Sequence, residues 1–208
     1  ESMGLRLLQG YGLTETSPVI SATPHDDNRI GAVGILIDGV EVKIAADGEI
    51  LTRGPHVMKG YWNKPEATAA AMIDGWFHTG DIGTFEDGYL RVTDRKKHIL
   101  VTSTGKKVAP QPLENALAMS RYVEQLAVVG DGRRFVAALV VPDFAALQRW
   151  AEKNGKHESP EELCVDADVI ALIREEIEAL QADFATFERV RDFRLLPVPF
   201  SIEDGTLT

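Results

Sequence analysis

Apolar positions cluster into short runs in the first half of the chain and into a long helical stripe in the second. Ile30 to Ile37 and Val40 to Ile44 are apolar runs parted by Asp38-Gly39, a dipeptide that favours a tight hairpin. Glu49 to Arg53 follows the turn pair Asp47-Gly48 and predicts a strand. Glu66 to Ile73 is rich in alanine and predicts a short helix, and Tyr89 to Thr93, after Asp87-Gly88, predicts another strand. The pattern is that of a β-rich unit of hairpins with one helical insert.

Beyond Asp94-Arg95-Lys96-Lys97 the pattern changes. His98 to Thr102 predicts a strand, Ser103-Thr104-Gly105 a turn, and Pro110 with Pro112 opens a short helix to about Ser120. Leu126 to Val129 and Phe135 to Val141 flank Asp131-Gly132 and predict a second hairpin or tight connection. Asp143 is placed to cap a helix in which Phe144, Leu147 and Trp150-Ala151 recur at helical spacing. Ser159-Pro160-Glu161-Glu162 is a capping box with proline in the first turn. The longest predicted helix runs from about Asp166 to Glu188, with Val169, Ile173, Ile177, Leu180, Phe184 and Phe187 at steps of three and four. Such a stripe reads as a core face rather than a lipid or cofactor face. Phe193 to Val198 predicts the last strand. There is no internal repeat and no low-complexity tract.

Composition narrows the class. The chain has 208 residues, 44% hydrophobic and 26% charged, the balance of a soluble globular protein of one or two domains. That excludes a disordered tail, a collagen-like fibre and a coiled-coil rod. The apolar run Phe135 to Val141 is far shorter than the roughly 20 residues a membrane-spanning helix needs, so no transmembrane segment is expected. The net charge of -10 argues against a nucleic-acid groove but leaves room for a local basic patch facing a phosphorylated ligand. The single cysteine, Cys164, has no partner for an internal disulfide, and a cytoplasmic, reducing setting is expected. Cys164 also lacks a patterned His or Asp partner and reads as a small core residue. The chain begins at Glu1 with neither an initiator Met nor a charged-then-apolar leader, and it reads as a piece of a longer polypeptide.

Four segments carry candidate chemistry. In Gln9-Gly10-Tyr11-Gly12-Leu13-Thr14-Glu15-Thr16 two glycines let backbone approach a flat ligand stacked on the aromatic ring. Hydroxyls suit phosphate oxygens, and a carboxylate suits Mg²⁺, which takes one or two protein carboxylates and keeps several waters. The same residues also read as a glycine-rich turn capped by Thr14. In Gly75-Trp76-Phe77-His78-Thr79-Gly80-Asp81 an acidic residue in a glycine turn can accept from both hydroxyls of a ribose, or simply from nearby backbone amides. His78 reads as a packed or surface histidine, having no patterned nucleophile. Asp94-Arg95-Lys96-Lys97-His98 offers Arg95 for bidentate contact with an anion, while Lys96 reads as solvated linker charge. Ser103-Thr104-Gly105-Lys106-Lys107 resembles part of a phosphate loop but lacks the upstream glycine, and a Gly-Lys pair alone is a weak signal.

The order of these segments is more specific than any one of them. Tyr11-Gly12-Leu13-Thr14-Glu15-Thr16, Gly48-Glu49-Ile50 to Gly54-Pro55, Lys59-Gly60-Tyr61-Trp62, Trp76-Phe77-His78-Thr79-Gly80-Asp81 and Asp94-Arg95-Lys96-Lys97 resemble the successive core motifs of the AMP-forming acyl-CoA synthetases. Val108-Ala109-Pro110 to Leu113-Glu114, Val128-Val129-Gly130-Asp131-Gly132 and the acidic helix after Ser159 resemble the long-chain fatty-acid ligase branch of that adenylate-forming superfamily. The resemblance extends over essentially the whole chain and implies an α+β fold. In it, a β-rich distorted-barrel subdomain at the end of the large domain (1–94) is followed by a hinge (95–97) and a small mobile α+β lid (98–208).

The resemblance also implies roles. Tyr11 would stack on adenine between Gly10 and Gly12, Thr14 would contact phosphate, and Glu15 would hold Mg²⁺. Asp81 would bind the ribose hydroxyls, with Arg95 reaching the ribose or adenylate. Lys97 would be the hinge. Gly105 would line the tunnel of the CoA thiol, with Lys106 near the CoA phosphates. The implied substrates are ATP, CoA and a fatty acid, and any peripheral membrane association would belong to the full-length parent. The alternatives are a short-chain or aryl acid ligase of the same superfamily, or a non-catalytic lid or interaction module.

Two parts of the family machinery are expected outside the chain: the phosphate loop before Glu1, and a lysine that follows the stretch ending at Thr208. The 208-residue polypeptide alone is therefore expected to be inactive in both half-reactions. An assay of acyl-adenylate formation checks this, and turnover well above background contradicts it.

Overall fold

The computed structural model describes residues 7–156, 159–201 and 203. Glu1, residue 202 and residues 204–208, the stretch expected to approach the family lysine, lie outside them. The chain divides into two compact units, Glu1–Lys97 and His98–Thr208.

The first unit is built on one sheet. Its strands are β1 (Gly10–Tyr11), β2 (Ser21–Ala22), β3 (Gly34–Leu36), β4 (Glu41–Ile44) and β5 (Glu49–Arg53), followed by helix α1 (Pro65–Ala71), β6 (Met72–Ile73), β7 (Trp76–Glu86) and β8 (Tyr89–Arg95). They pair in the order β1-β2-β3-β8-β7-β5-β4, with β6 attached to β7, and every pairing is antiparallel. Along β7 buried and part-exposed residues alternate from Trp76 to Gly83, so Phe77, Thr79, Asp81 and Gly83 point inward. In β5, flanked by strands on both sides, the first four residues are all buried. Ile20, Val33, Val40, Ile50 and Leu90 form the core, with Tyr11, Leu13, Leu36, Val42, Ile44 and Val92 packed against it.

The hairpin expected across Asp38-Gly39 does not form. The turn itself closes, the Val40 amide donating to the Ile37 carbonyl at 3.2 Å with Gly39 at φ +81°. Its flanks then part, because β3 finds both its neighbours in β2 and β8, whereas β4 pairs with β5 across Asp47-Gly48. The helix expected to run to Ile73 stops at Ala71. Asp74 and Gly75, both at positive φ, turn the chain so that Met72 and Ile73 pair with Phe77 and Trp76.

The second unit opens with a two-stranded ribbon, β9 (Leu100–Val101) and β10 (Lys107–Val108), closed by the predicted Ser103-Thr104-Gly105 turn. Helix α2 (Pro110–Leu117), strands β11 (Val123–Val129) and β12 (Ala137–Pro142), helices α3 (Phe144–Lys153), α4 (Pro160–Leu163) and α5 (Ala167–Leu180), and strand β13 (Asp192–Leu195) complete it. The hairpin expected around Asp131-Gly132 is the antiparallel β11–β12 pair, and β13 joins β12 in parallel. Leu113 and Leu117 of α2, Leu147 of α3 and Val169, Ile173 and Ile177 of α5 share one core with Val136, Ala138 and Val140. Cys164 lies buried in it as a free cysteine, and burial pushes its thiol up.

The caps read from sequence are made. The Asp143 carboxylate accepts from the Ala146 amide at 2.9 Å, and Ser159 and Glu162 exchange the two bonds of the capping box. Helix α5 is shorter than its apolar stripe, ending at Leu180 rather than Glu188. There the buried Gln181 carboxamide takes over. It donates to the Val190 carbonyl at 3.1 Å and accepts from the Val190 amide at 2.8 Å, while Arg189 donates to the carbonyls of Phe184 and Ala182. These bonds satisfy backbone that a continued helix would otherwise satisfy, so the chain returns to β12 at once. Phe187 consequently lies 44% exposed instead of in the core stripe.

Asp166 caps α5 by accepting from the Asp168 and Val169 amides at 2.9 and 3.0 Å, and it also pairs with Lys156. Asp166→Ala is expected to lower the unfolding free energy of this unit by about 1 kcal/mol, the usual effect of losing an N-cap. Urea denaturation of the 208-residue chain checks it, and an unshifted midpoint counts against it.

Candidate functional site

Asp81 does not sit in a glycine turn, as the sequence suggested, but inside β7. The register pairs Glu49 with Ile82 and Leu51 with His78, so Thr79, Gly80 and Asp81 all stand opposite Ile50. The surplus makes a bulge, which re-aims side chains at a strand interior. Gly80 takes φ +72°, a conformation other residues rarely adopt. The bulge is pinned at both ends: Thr79 donates to the Ile50 carbonyl at 2.7 Å, and the Gly80 amide donates to Glu49 Oε1 at 3.0 Å.

Asp81 is 3% exposed. Its two carboxylate oxygens hold two groups already singled out in the sequence. The Tyr11 hydroxyl donates to Oδ2 at 2.7 Å, and Arg95 Nε lies 2.8 Å from Oδ1. Burial first, then the hydrogen bond to Asp81, push the Tyr11 hydroxyl well above its ordinary pKa. The side chain of Arg95 keeps half its surface exposed. β1, β7 and β8 thus bring Tyr11, Asp81 and Arg95 together across 84 residues of sequence, as the register partner Asp81↔Arg95 requires.

Gly12 is needed for a different close approach from the one anticipated. A Cβ there would stand 1.7 Å from the Pro18 carbonyl oxygen, so it is the chain itself that crowds this glycine. The hydroxyl that closes the following turn (Thr14–Thr16) belongs to Thr16 rather than Thr14. Thr16 is fully buried, and its Oγ1 accepts from the Leu13 amide at 2.9 Å, while Thr14 is exposed. Glu15 is fastened from two sides: the Met58 amide donates to its carbonyl at 2.8 Å, and the Tyr61 hydroxyl donates to its Oε1 at 2.9 Å. Burial, and then Glu15, push the Tyr61 hydroxyl upward.

Lys96 is the clearest departure from the sequence reading. Though half-exposed, it is not a free linker charge: its Nζ lies 2.7 Å from Asp47 Oδ2 and 2.8 Å from Glu49 Oε2, which raise its pKa. His78 Nδ1 lies 3.0 Å from the same Glu49 oxygen. Burial pushes the Glu49 carboxyl up, but hydrogen bonds from Lys96, His78 and the Gly80 amide outweigh it and leave the group below the usual glutamate range. Residue types and spacing carried no sign that Glu49 or Tyr61 would belong here. Only the motif order had included their segments.

A groove of about 560 Å³ borders Glu49 and His78. Tyr61, Glu49, His78, Thr79 and Gly80 line one side, and Ala67, Ala70 and Ala71 of α1 line the other. In the second unit Gly105 turns the β9–β10 ribbon at φ +77° with open space around it, and the Lys106 ammonium stands 5.4 Å over the Phe187 ring. The boundary between the units falls between Lys97 and His98. Among the described residues no three His, Cys, Asp or Glu side chains cluster as a metal cage, and no helix is long and apolar enough to cross a membrane.

Part-buried Tyr11, buried Asp81 and half-exposed Arg95 thus meet in the first unit, which is followed by a separate α+β unit. Residues 97–203 match the AMP-binding enzyme C-terminal domain, and residues 1–62 match the AMP-binding enzyme family. The chain belongs to that family. It is 42% identical over 208 residues to the long-chain-fatty-acid–CoA ligase FadD15 of Mycobacterium bovis, covering 99% of this chain and 35% of that protein. It is 39% identical over 223 residues to the human long-chain-fatty-acid–CoA ligase 1, covering 100% of this chain and 32% of that one. The chain therefore spans about a third of the length of the curated relatives it matches. Among solved structures, O-succinylbenzoate coenzyme A synthetase of Bacillus subtilis in complex with AMP superposes with a TM-score of 0.70 at 25% identity, over 97% of this chain and 40% of that one. The same enzyme in complex with ATP and magnesium ion gives 0.69 at 26% identity, over 95% and 39%.

The depressed Glu49 pKa has a sign that can be tested. Its unfolded pKa is near 4.3, and its folded value is lower, so its stabilising contribution is complete above about pH 4.3 and disappears as pH falls through the folded value. Glu49→Gln is expected to make the acid side of the stability curve less steep. Thermal melting between neutral pH and pH 3 checks it, and parallel curves for the two proteins refute it.

Proposed function

We propose that the chain is the nucleotide-holding and C-terminal part of an ATP-dependent long-chain fatty-acid–CoA ligase. One observation carries the nucleotide assignment: a buried carboxylate, Asp81, is presented by a bulge to an aromatic ring and a guanidinium at 2.7 and 2.8 Å. A ribose diol offers two hydroxyl donors to such a carboxylate. In this reading the diol takes up acceptor sites on Asp81, adenine stacks on the Tyr11 ring between Gly10 and Gly12, and Arg95 turns toward the ribose or the phosphate.

Thr14, exposed on its turn, contacts phosphate. Glu15, held by Met58 and Tyr61, is the carboxylate for Mg²⁺. One carboxylate suffices, because Mg²⁺ completes its shell with substrate phosphate oxygens and water rather than with a protein cage. When bound, the ion neutralises charge growing on the phosphoryl oxygens. The chemistry proposed for the parent protein is a two-step ligation. The fatty carboxylate attacks the α-phosphorus of ATP and pyrophosphate leaves. The CoA thiolate then attacks the acyl carbonyl of the adenylate and AMP leaves. Residues 1–94 supply the nucleotide side, 95–97 the hinge centred on Lys97, and 98–208 the lid, whose Gly105 and Lys106 face the CoA thiol arm and phosphates.

The long-chain choice rests on the relatives at 39% and 42% identity, both long-chain ligases, against 25% for the aryl-acid synthetase of B. subtilis. The setting proposed is cytoplasmic, with peripheral membrane contact a matter for the whole protein.

In the full-length protein, Asp81→Ala is expected to weaken ATP binding by about tenfold or more, the cost of leaving buried ribose hydroxyls without their acceptor. Calorimetric titration measures it. An unchanged affinity in a folded variant rejects the ribose role.

A further inference from the structure

We infer that Glu49 is a positioning residue that sets the nucleotide affinity of the Asp81–Arg95 pair from behind. The inference rests on the nucleotide reading above and assigns a residue that touches no nucleotide in it. The Glu49 side chain is 4% exposed, at a place in β5 where its neighbours Ile50 and Leu51 are apolar and buried. A buried carboxylate is costly unless fully hydrogen-bonded, and an apolar residue of similar size would stabilise such a strand at least as well. Stability alone therefore gives no reason for a charge here.

Its partners supply one. Oε1 accepts from the Gly80 amide at 3.0 Å, the residue before Asp81. Oε2 lies 2.8 Å from Lys96 Nζ, the residue after Arg95, and 3.0 Å from His78 Nδ1, which leads into the bulge. One rigid group thus holds the segment flanking the carboxylate and the segment flanking the guanidinium. Asp47 adds a second anchor on Lys96 at 2.7 Å. With the tie cut, Gly80 and Lys96 each lose a partner, and the 2.8 Å contact between Asp81 and Arg95 depends on the sheet register and on the Thr79 hydroxyl, which bonds the Ile50 carbonyl and the Asp81 amide. Displacements of well under an ångström suffice to weaken hydrogen bonds to a bound ligand.

The test is a double-mutant cycle in the full-length protein, with AMP as the calorimetric ligand and steady-state kinetics alongside. Glu49→Gln keeps an acceptor for Gly80 and loses the charge facing Lys96. Lys96→Met, at a half-exposed residue, cuts the same tie from the other end should the first variant fold poorly. Each is expected to weaken AMP binding by about tenfold and to raise KM for ATP by a similar factor, with kcat changed much less. Combined with each other they are expected to do no more than either alone, and in an Asp81→Ala background both are expected to be silent. A loss of melting temperature with AMP affinity intact in both variants overturns the inference. So does an equal loss of affinity with and without Asp81, which would mark a merely structural role. Unchanged AMP affinity in Asp81→Ala itself overturns the nucleotide reading and this inference together, whereas loss in Asp81→Ala with none in Glu49→Gln or Lys96→Met overturns the inference alone.

Discussion

The bulge in β7 is the constraint on which the rest of the first unit depends. Three residues facing one cannot all lie in a regular ladder, so the strand must open at Thr79, Gly80 and Asp81. Opening exposes backbone groups inside the sheet, and each must find another partner. Ile50 takes the Thr79 hydroxyl, and Glu49 takes the Gly80 amide. Once those bonds are made, Asp81 points away from the ladder with both oxygens available to Tyr11 and Arg95. β8 is irregular nearby as well, where Thr93 donates to the Ile82 carbonyl. Two strands thus depart from regular pairing at the same place.

The second unit shows the opposite economy. Its hairpin, its caps and its core helix obey local rules, and most of its buried apolar side chains form one cluster. Where it departs from the expected helix length, a single buried glutamine accounts for the difference. Gln181 makes both bonds of its carboxamide to one residue, Val190, and so terminates a stripe that apolar spacing alone would have carried through Phe184 and Phe187.

These two units explain what was legible in the sequence. Signals acting over three or four residues were reliable: Asp47-Gly48 and Asp131-Gly132 made their turns, and Asp143 and Ser159 made their caps. Asp38-Gly39 made its turn but not its hairpin, because pairing partners are chosen across the whole sheet. Tyr11, Asp81 and Arg95 were singled out through motif order, which carries information that no local pattern does, and the fold brings the three together. Glu49, Tyr61 and the role of Lys96 were not singled out. An ion pair across 47 residues of sequence leaves no periodicity to read, and a lysine in a basic run looks the same whether free in solvent or paired with two carboxylates. The long strand β7 escaped for a related reason: glycines at 75, 80 and 83 break the alternation by which a strand is recognised.

The charge inside β5 has a further effect, on the choice among strand alignments. Apolar residues such as Ile50 and Leu51 are nearly as content one position along, and strands built only from them tolerate slippage. Glu49 is not so forgiving. Its carboxylate is satisfied only where Gly80, His78 and Lys96 converge, and any shifted pairing of β5 with β7 would leave it desolvated and alone. The same carboxylate that ties the site together thus discriminates against misaligned sheets while the chain is folding, and does so through the cost of the wrong structure rather than the strength of the right one.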